Sequence, residues 1–408
     1  MKPKKIVLAT FGSRGDVQPM LALTLGLQAE GHDVLLAGPP EKEAWAKELG
    51  CPFHPLGSDV TAFLDGMKDA HSPFSAFSFI KFLREELVPQ FYALRNILVG
   101  ADLAVGASLA FTMSTVAESM GVTYRYVAFT PQLLPSGHHP FLAFRRQDLP
   151  QWMNRLGWRI ARNLDRFNLK AILDRLRRKL GLKPLLDPWR HILGPRVILA
   201  SDPAIAGVAP DVEVDFVQTG YFHLRQPDVQ LPELEAFLNR GSPPVYAGFG
   251  SMPKRDQAAM VPLIVNAARS AGQRLIINRF WDEPSRSSES DDLFFIRRYP
   301  HLKLFPRMAA VIHHGGAGTT ACAAISSVPQ IIVPHALDQY YWGNQVHLSG
   351  LGPRPIWRSR LTVPKLSSAI QECMVNQQIR EMVKNTARRI IPERSIETAV
   401  SEVSKSLG

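Results

Sequence analysis

Cysteine is scarce: the 408-residue chain has three, Cys51, Cys322 and Cys373, far apart and forming no CxxC pair. A disulfide framework and a structural zinc site are both disfavoured, and a reduced, cytoplasmic setting is expected. Long apolar runs are missing as well. No stretch of 18 uncharged apolar residues occurs, so no membrane span is expected. The first apolar run, Ile6 to Ala9, is broken at once by Thr10, Gly12, Ser13 and Arg14, too early for a signal peptide. Acidic residues are outnumbered 36 to 47 by Lys and Arg, a net charge of +11 that favours anionic partners: nucleotide phosphates, an acidic membrane surface or nucleic acid. What is present is a globular composition, 46% hydrophobic and 20% charged. The length suggests two or three domains at about 150 residues each.

Short apolar runs alternate with amphipathic stretches in two separate series. Ile6–Ala9, Asp33–Ala37, Asp102–Gly106 and Tyr124–Ala128 read as strands, with helices over Gln18–Glu30 and Glu41–Leu49. The pattern restarts with strands at Val245–Gly248, Arg274–Asn278, Ala309–His313 and Gln330–Val333, and helices at Ala258–Ala271 and Ala317–Ser326. Strands alternating with helices imply right-handed βαβ units on parallel sheets. The expected fold is therefore α/β: two Rossmann-like, doubly wound domains facing across a cleft, with ligands at the strand C-terminal ends. The expected division is 1–221, a proline-bearing linker at 222–232, a second domain at 233–391 and a last segment at 392–408.

Basic charge is concentrated. Segment 138–180 has eleven Arg or Lys and three Asp, while Trp152, Leu156, Ile160, Leu164, Phe167, Ala171, Leu176 and Leu180 make an apolar stripe at near-helical spacing. Either this stripe docks on its own domain behind a solvated basic face, or it meets a membrane surface or a lipophilic acceptor. No nucleic-acid-binding motif accompanies the charge, so a nucleic-acid partner is not expected.

Three glycine-rich turns carry the chemistry. Gly12-Ser13-Arg14-Gly15-Asp16 follows the first strand and lacks both GxGxxG spacing and a Walker lysine. Its Asp16 is either a helix-capping acid or a general base taking a proton from a hydroxyl. Gly248-Phe249-Gly250-Ser251 closes the first strand of the second half and offers a serine to a phosphate or sugar. His313-His314-Gly315-Gly316-Ala317-Gly318-Thr319-Thr320 packs donors most densely: glycines and a helix start make an anion cradle. His313 by itself also suits a satisfied buried histidine. Downstream, Asp338 and Gln339 stand just past a strand, able to read hydroxyls or to cap a helix.

These motifs resemble those of nucleotide-sugar glycosyltransferases of the GT-B fold, in particular the sterol glucosyltransferases and the glycopeptide-antibiotic glycosyltransferases. The carriers are GSRGDVQP at 12–19, GHDV at 31–34, PPVYAGFGSM at 243–252, YPHLKLFPRMAAVIHHGGAGTT at 299–320 and VPQIIVPHALDQYYWGNQV at 328–346. The resemblance implies an inverting displacement in which a hydroxyl of a lipophilic acceptor (sterol, terpenoid or polyketide) attacks the anomeric carbon of a UDP- or dTDP-sugar. UDP-glucose is the expected co-substrate, with no permanently bound cofactor and no metal. It makes Asp16 the base and assigns Ser251, Tyr299, His301, His313, His314, Gly316, Ala317, Gly318, Thr319, Asp338 and Gln339 to the donor. Plant relatives use a histidine base with a partner Asp; here Gly106-Ala107-Ser108 holds no carboxylate, which leaves Asp16 alone. The ribose-binding Glu of plant members is replaced by Cys322. Ser13, Arg14, Phe74, Phe77, Ser108, Phe141 and Phe144 are expected on the acceptor wall, with Phe74 and Phe77 in a loop. Peripheral membrane contact through 138–180 stays open, and a C-terminal helix over Glu393–Leu407 is expected to return to the first domain. The rivals are a dTDP-deoxysugar transferase, a GT-B epimerase or hydrolase, and a catalytically silent nucleotide-sugar-binding partner.

Overall fold

A computed structural model describes residues 2–66, 73–142, 144–227, 229–252, 254–278, 290–297 and 299–407. Its two sheets are entirely parallel. The first contains β1 (Lys5–Phe11), β2 (Asp33–Gly38), β3 (Phe53–Pro55), β4 (Leu103–Ser108), β5 (Thr123–Ala128), β6 (Val197–Leu199) and β7 (Phe216–Gln218), in the order β3-β2-β1-β4-β5-β6-β7. The second contains β8 (Val245–Gly248), β9 (Leu275–Asn278), β10 (Leu293–Ile296), β11 (Ala310–His313) and β12 (Gln330–Ile332), in the order β10-β9-β8-β11-β12. The sequence reading missed β3, β6, β7 and β10, runs of three or four residues too short to show a period.

Each central strand is buried on both faces, as a parallel sheet wrapped in helices requires. Alternation divides β1 between two cores. Ile6 and Leu8 join the apolar face of the first helix (Arg14–Ala29), while Val7 and Ala9 pack with Leu87, Phe91 and Leu94 of the helix Pro73–Ile97. That second helix occupies the region expected to be a loop around Phe77. Tyr246 of β8 likewise points away from Val245 and Ala247.

Strand order reverses between β1 and β4 in one sheet and between β8 and β11 in the other. At such switch points the connections leave in opposite directions and open a crevice at the strand C-terminal ends. The turns around Asp16, Ser108, Ser251 and His314 all emerge there. The last helix, Pro392–Lys405, lays Ala399, Val400 and Val403 into the first-domain core, where Ile396 packs against Gly26. The proposed linker also starts inside that core, since Phe222 and Leu224 are buried in it. The basic segment forms two helices, Gln151–Phe167 and Leu169–Lys179. No helix among the described residues is long and apolar enough to cross a membrane.

Candidate active site

Ser13 ends the β1 turn as the N-cap of the first helix, and Asp16 occupies the third helical position. The backbone N–H and the hydroxyl of Ser13 donate to Asp16 Oδ2 at 2.7 and 3.0 Å, and Ser13 Oγ accepts from the Gly15 N–H. This is a capping box. Ser108, at the end of β4, donates its hydroxyl to Asp16 Oδ1 at 2.7 Å. Ser108 takes a left-handed φ of 51°, and its carbonyl accepts from the Tyr126 hydroxyl at 2.8 Å. A Cβ at Gly12 would lie 2.4 Å from Asp16 Oδ2, so only glycine leaves the carboxylate its place. Burial raises the proton affinity of Asp16, and the Ser108 and Ser13 bonds oppose that rise without cancelling it. The capping reading of Asp16 holds, and the same bonds fix the direction of its carboxylate.

Across the crevice, β11 ends at His313, which is fully buried. Its Nδ1 accepts from the Gly315 N–H at 3.1 Å, and its Nε2 donates to Gln330 Oε1 at 3.0 Å. Gln330 in turn donates to the Thr320 carbonyl. His313 therefore braces the loop from behind. His314 turns the other way, toward Gly250, whose φ of 57° and missing Cβ admit the imidazole; a Cβ there would lie 2.8 Å from the ring. Burial and the two neighbouring histidines, His313 and His301, bring His314 down to about 3, so it is neutral near pH 7. Its Nδ1 is buried without a hydrogen-bond partner among the described residues. Gly316 is the N-cap of helix Ala317–Ile325 and contributes no side-chain cap, while Gly316 to Thr319 remain partly open to solvent. The N–H groups of that first turn are a fitting seat for a diphosphate.

Asp338 caps helix Gln339–Leu348 in sequence, and its Oδ2 accepts from Trp342 Nε1 at 3.2 Å. Burial, then the charge of Asp16, push its pKa up to about 7. The charge of Asp16 in the first domain is therefore felt by Asp338 in the second. Gln339 spends its carbonyl oxygen on the N–H groups of His335 and Ala336, leaving its amide nitrogen 4.0 Å from Met252 Sδ. Among the described residues no group of three or more His, Cys, Asp or Glu could hold a metal.

Residues 6–136 match the family described as Glycosyltransferase family 28 N-terminal domain, and 273–407 match the Erythromycin biosynthesis protein CIII-like, C-terminal domain. Glycosyltransferase GtfE of Amycolatopsis orientalis is 34% identical over 365 residues, 87% of this chain and 88% of that protein. The chain is a GT-B glycosyltransferase. Sterol 3-beta-glucosyltransferase UGT80B1 of Arabidopsis thaliana is 30% identical to it, across 99% of this glycosyltransferase and 68% of the plant protein. Among solved structures, CalG4, the calicheamicin glycosyltransferase, superposes with a TM-score of 0.74 at 18% identity, covering 100% of this chain and 99% of that one.

The remaining expected residues of this glycosyltransferase distribute unevenly. Ser251 follows Gly250 and so stands beside His314. His301 pairs with the Tyr246 hydroxyl at 3.2 Å and stacks on Phe305; burial brings it down to about 4. Tyr299 packs at the edge of the second-domain core. Arg14, expected on the acceptor wall, stacks on Trp45 at 4.5 Å, and its charge reaches Tyr246 and His301 of the second domain. Ser13 and Ser108, also expected there, hold Asp16 instead. Phe141 meets Trp158 and Trp189 edge-on, whereas Phe144 and Phe77 are exposed, and Phe74 lies outside the residues whose side chains are described. The sequence reading missed Tyr221, whose hydroxyl closes on Gly318, and Tyr246, Asn278 and Gln330. Tyr246 and Asn278 lie inside apolar strands, where a polar side chain facing inward was the available signal.

Proposed function

We propose that this glycosyltransferase moves a hexose, glucose foremost, from a UDP-sugar to a hydroxyl of a lipophilic acceptor with inversion at the anomeric carbon. The acceptor oxygen bonds the anomeric carbon as its proton passes to Asp16, and the bond from that carbon to the β-phosphate oxygen breaks. Ser13 and Ser108 fix the direction of the Asp16 carboxylate, and its raised proton affinity suits a base. Charge growing on the departing diphosphate meets the open N–H groups of 316–319, His314 and Ser251. Asp338 and the Gln339 amide would orient the sugar hydroxyls. The observation that carries this reading is that the helix bearing Asp16 touches the helix Ala317–Ile325, whose start has no side-chain cap, across the two domains. Glucose is favoured because relatives named vancomycin aglycone glucosyltransferase and sterol 3-beta-glucosyltransferase match the chain at 33% and 30% identity.

A second reading is a dTDP-deoxysugar transferase, supported by a relative named dTDP-epi-vancosaminyltransferase, 29% identical over 91% of this chain. Purified protein incubated with UDP-glucose or dTDP-sugars and a panel of hydrophobic alcohols separates the two. The expected result is a β-glucoside from UDP-α-glucose, with mass measured by spectrometry and configuration by NMR. An α-product would overturn the single displacement. Turnover with dTDP-deoxysugars alone would establish the second reading.

A further inference from the structure

The helix Gln151–Phe167 is anchored by one face and leaves a second apolar face uncovered. Asn154, Trp158 and Ala161 are buried, with the Trp158 indole donating to the His139 carbonyl. Trp152, Leu156, Ile160 and Leu164, one turn apart, are 65%, 45%, 50% and 58% exposed. Four large apolar side chains in a row on a solvated helix are a contiguous patch, unlike the scattered apolar residues of an ordinary surface.

Charge beside the patch has one sign. Arg159 is exposed on the same helix, and Arg175, Arg178 and Lys179 on the next, Lys179 donating to the Tyr92 hydroxyl, while Arg155 pairs with Asp211 at 3.6 Å. The nearby acids are already engaged: Asp211 by Arg155, Ser136 and Gly137, Asp187 by Arg162, and Asp165 by the Trp189 indole. An apolar ridge flanked by arginines complements an anionic bilayer, where apolar side chains enter the headgroup boundary and arginines meet lipid phosphates.

We infer that this helix is a membrane-docking element: the protein seats Trp152, Leu156, Ile160 and Leu164 in an anionic lipid surface. The opposite side of the helix carries Trp158, which meets Phe141 and His139, and His139 contacts Tyr341 of the second domain. Docking would therefore bring the lipid surface to the outer side of the segment that borders the interdomain region.

The test needs neither donor nor acceptor, so it stands apart from the proposed reaction. Full-length protein is sedimented with phosphatidylcholine vesicles, with and without about a third phosphatidylglycerol. The native protein is expected to partition at least ~10-fold more strongly onto the anionic vesicles, and to release as salt rises. Replacing Trp152, Leu156, Ile160 and Leu164 together by Ser should abolish partitioning, while Trp152→Ser alone and Arg159→Glu weaken it, with UDP affinity and the unfolding midpoint retained. Absence of native binding to anionic vesicles, or equal binding by the four-fold variant, overturns the inference. So does a dimer in sedimentation velocity that the four-fold variant dissolves, because a second copy would then cover the ridge.

Discussion

The two switch-point turns are built alike and finished differently. Both run from a buried parallel strand through glycines into a helix. In the first domain the helix start is closed by its own residues: Ser13 and Asp16 complete a capping box. In the second, Gly316 provides no cap, and the N–H groups of the following turn stay open. A helix start satisfied internally can hold a carboxylate in a fixed direction; one left unsatisfied keeps its positive end for an incoming anion. The contrast suits the proposed division, with the base in the first domain and the anion cradle in the second.

The largest expected break in this comparison is Asp16→Asn, which keeps the shape of the cap and removes the base. Steady-state kinetics should show kcat lowered by ~10²–10⁴, with UDP affinity by calorimetry little changed. Near-normal turnover would leave the first turn with a capping role alone. On the other side, His314→Ala should weaken UDP binding about 10- to 100-fold, as expected for losing a hydrogen bond to a charged group; unchanged affinity would remove the cradle. Ser108→Ala sharpens the first side. It deletes one bond to the charged carboxylate, so kcat falls roughly fivefold at neutral pH. The acid limb of kcat/KM also moves to higher pH, because Asp16 must be deprotonated to act and binds its proton more tightly without Ser108.

The smallest effect concerns Asp338. Its folded pKa, about 7, exceeds the ordinary 3.8, so its contribution to stability is complete below the unfolded value and declines as pH rises through the folded one. Asp338→Asn removes that decline. Its melting temperature should exceed that of the native protein by at most ~2 °C above pH 7, with the difference shrinking toward pH 4. A difference independent of pH would mean that Asp338 is not buried against Asp16.

Both sheets and both turns were legible because strand, glycine run and helix follow one another within a few residues. The roles of neighbouring side chains were less so. His313 was open to a buried reading as well as a donor-side one, and the end of β11 sends it into the core while His314 turns toward Gly250. The bond from Ser108 to Asp16 was hidden because it spans 92 residues, and only the β1–β4 pairing brings the two together. The stripe at 152–164 was visible as a period, but a period does not say which face the domain covers. Asn154, Trp158 and Ala161 took the buried side instead.

The final helix carries a practical lesson for engineering. Since Ile396, Ala399, Val400 and Val403 complete the first-domain core, the chain's last stretch belongs energetically to its opening one. Chimeras that trade second domains between homologues should therefore keep 392–405 with the first domain it packs against. Swapping it along with the second domain would pair Gly26 with a foreign side chain and unsettle the lobe meant to be left untouched.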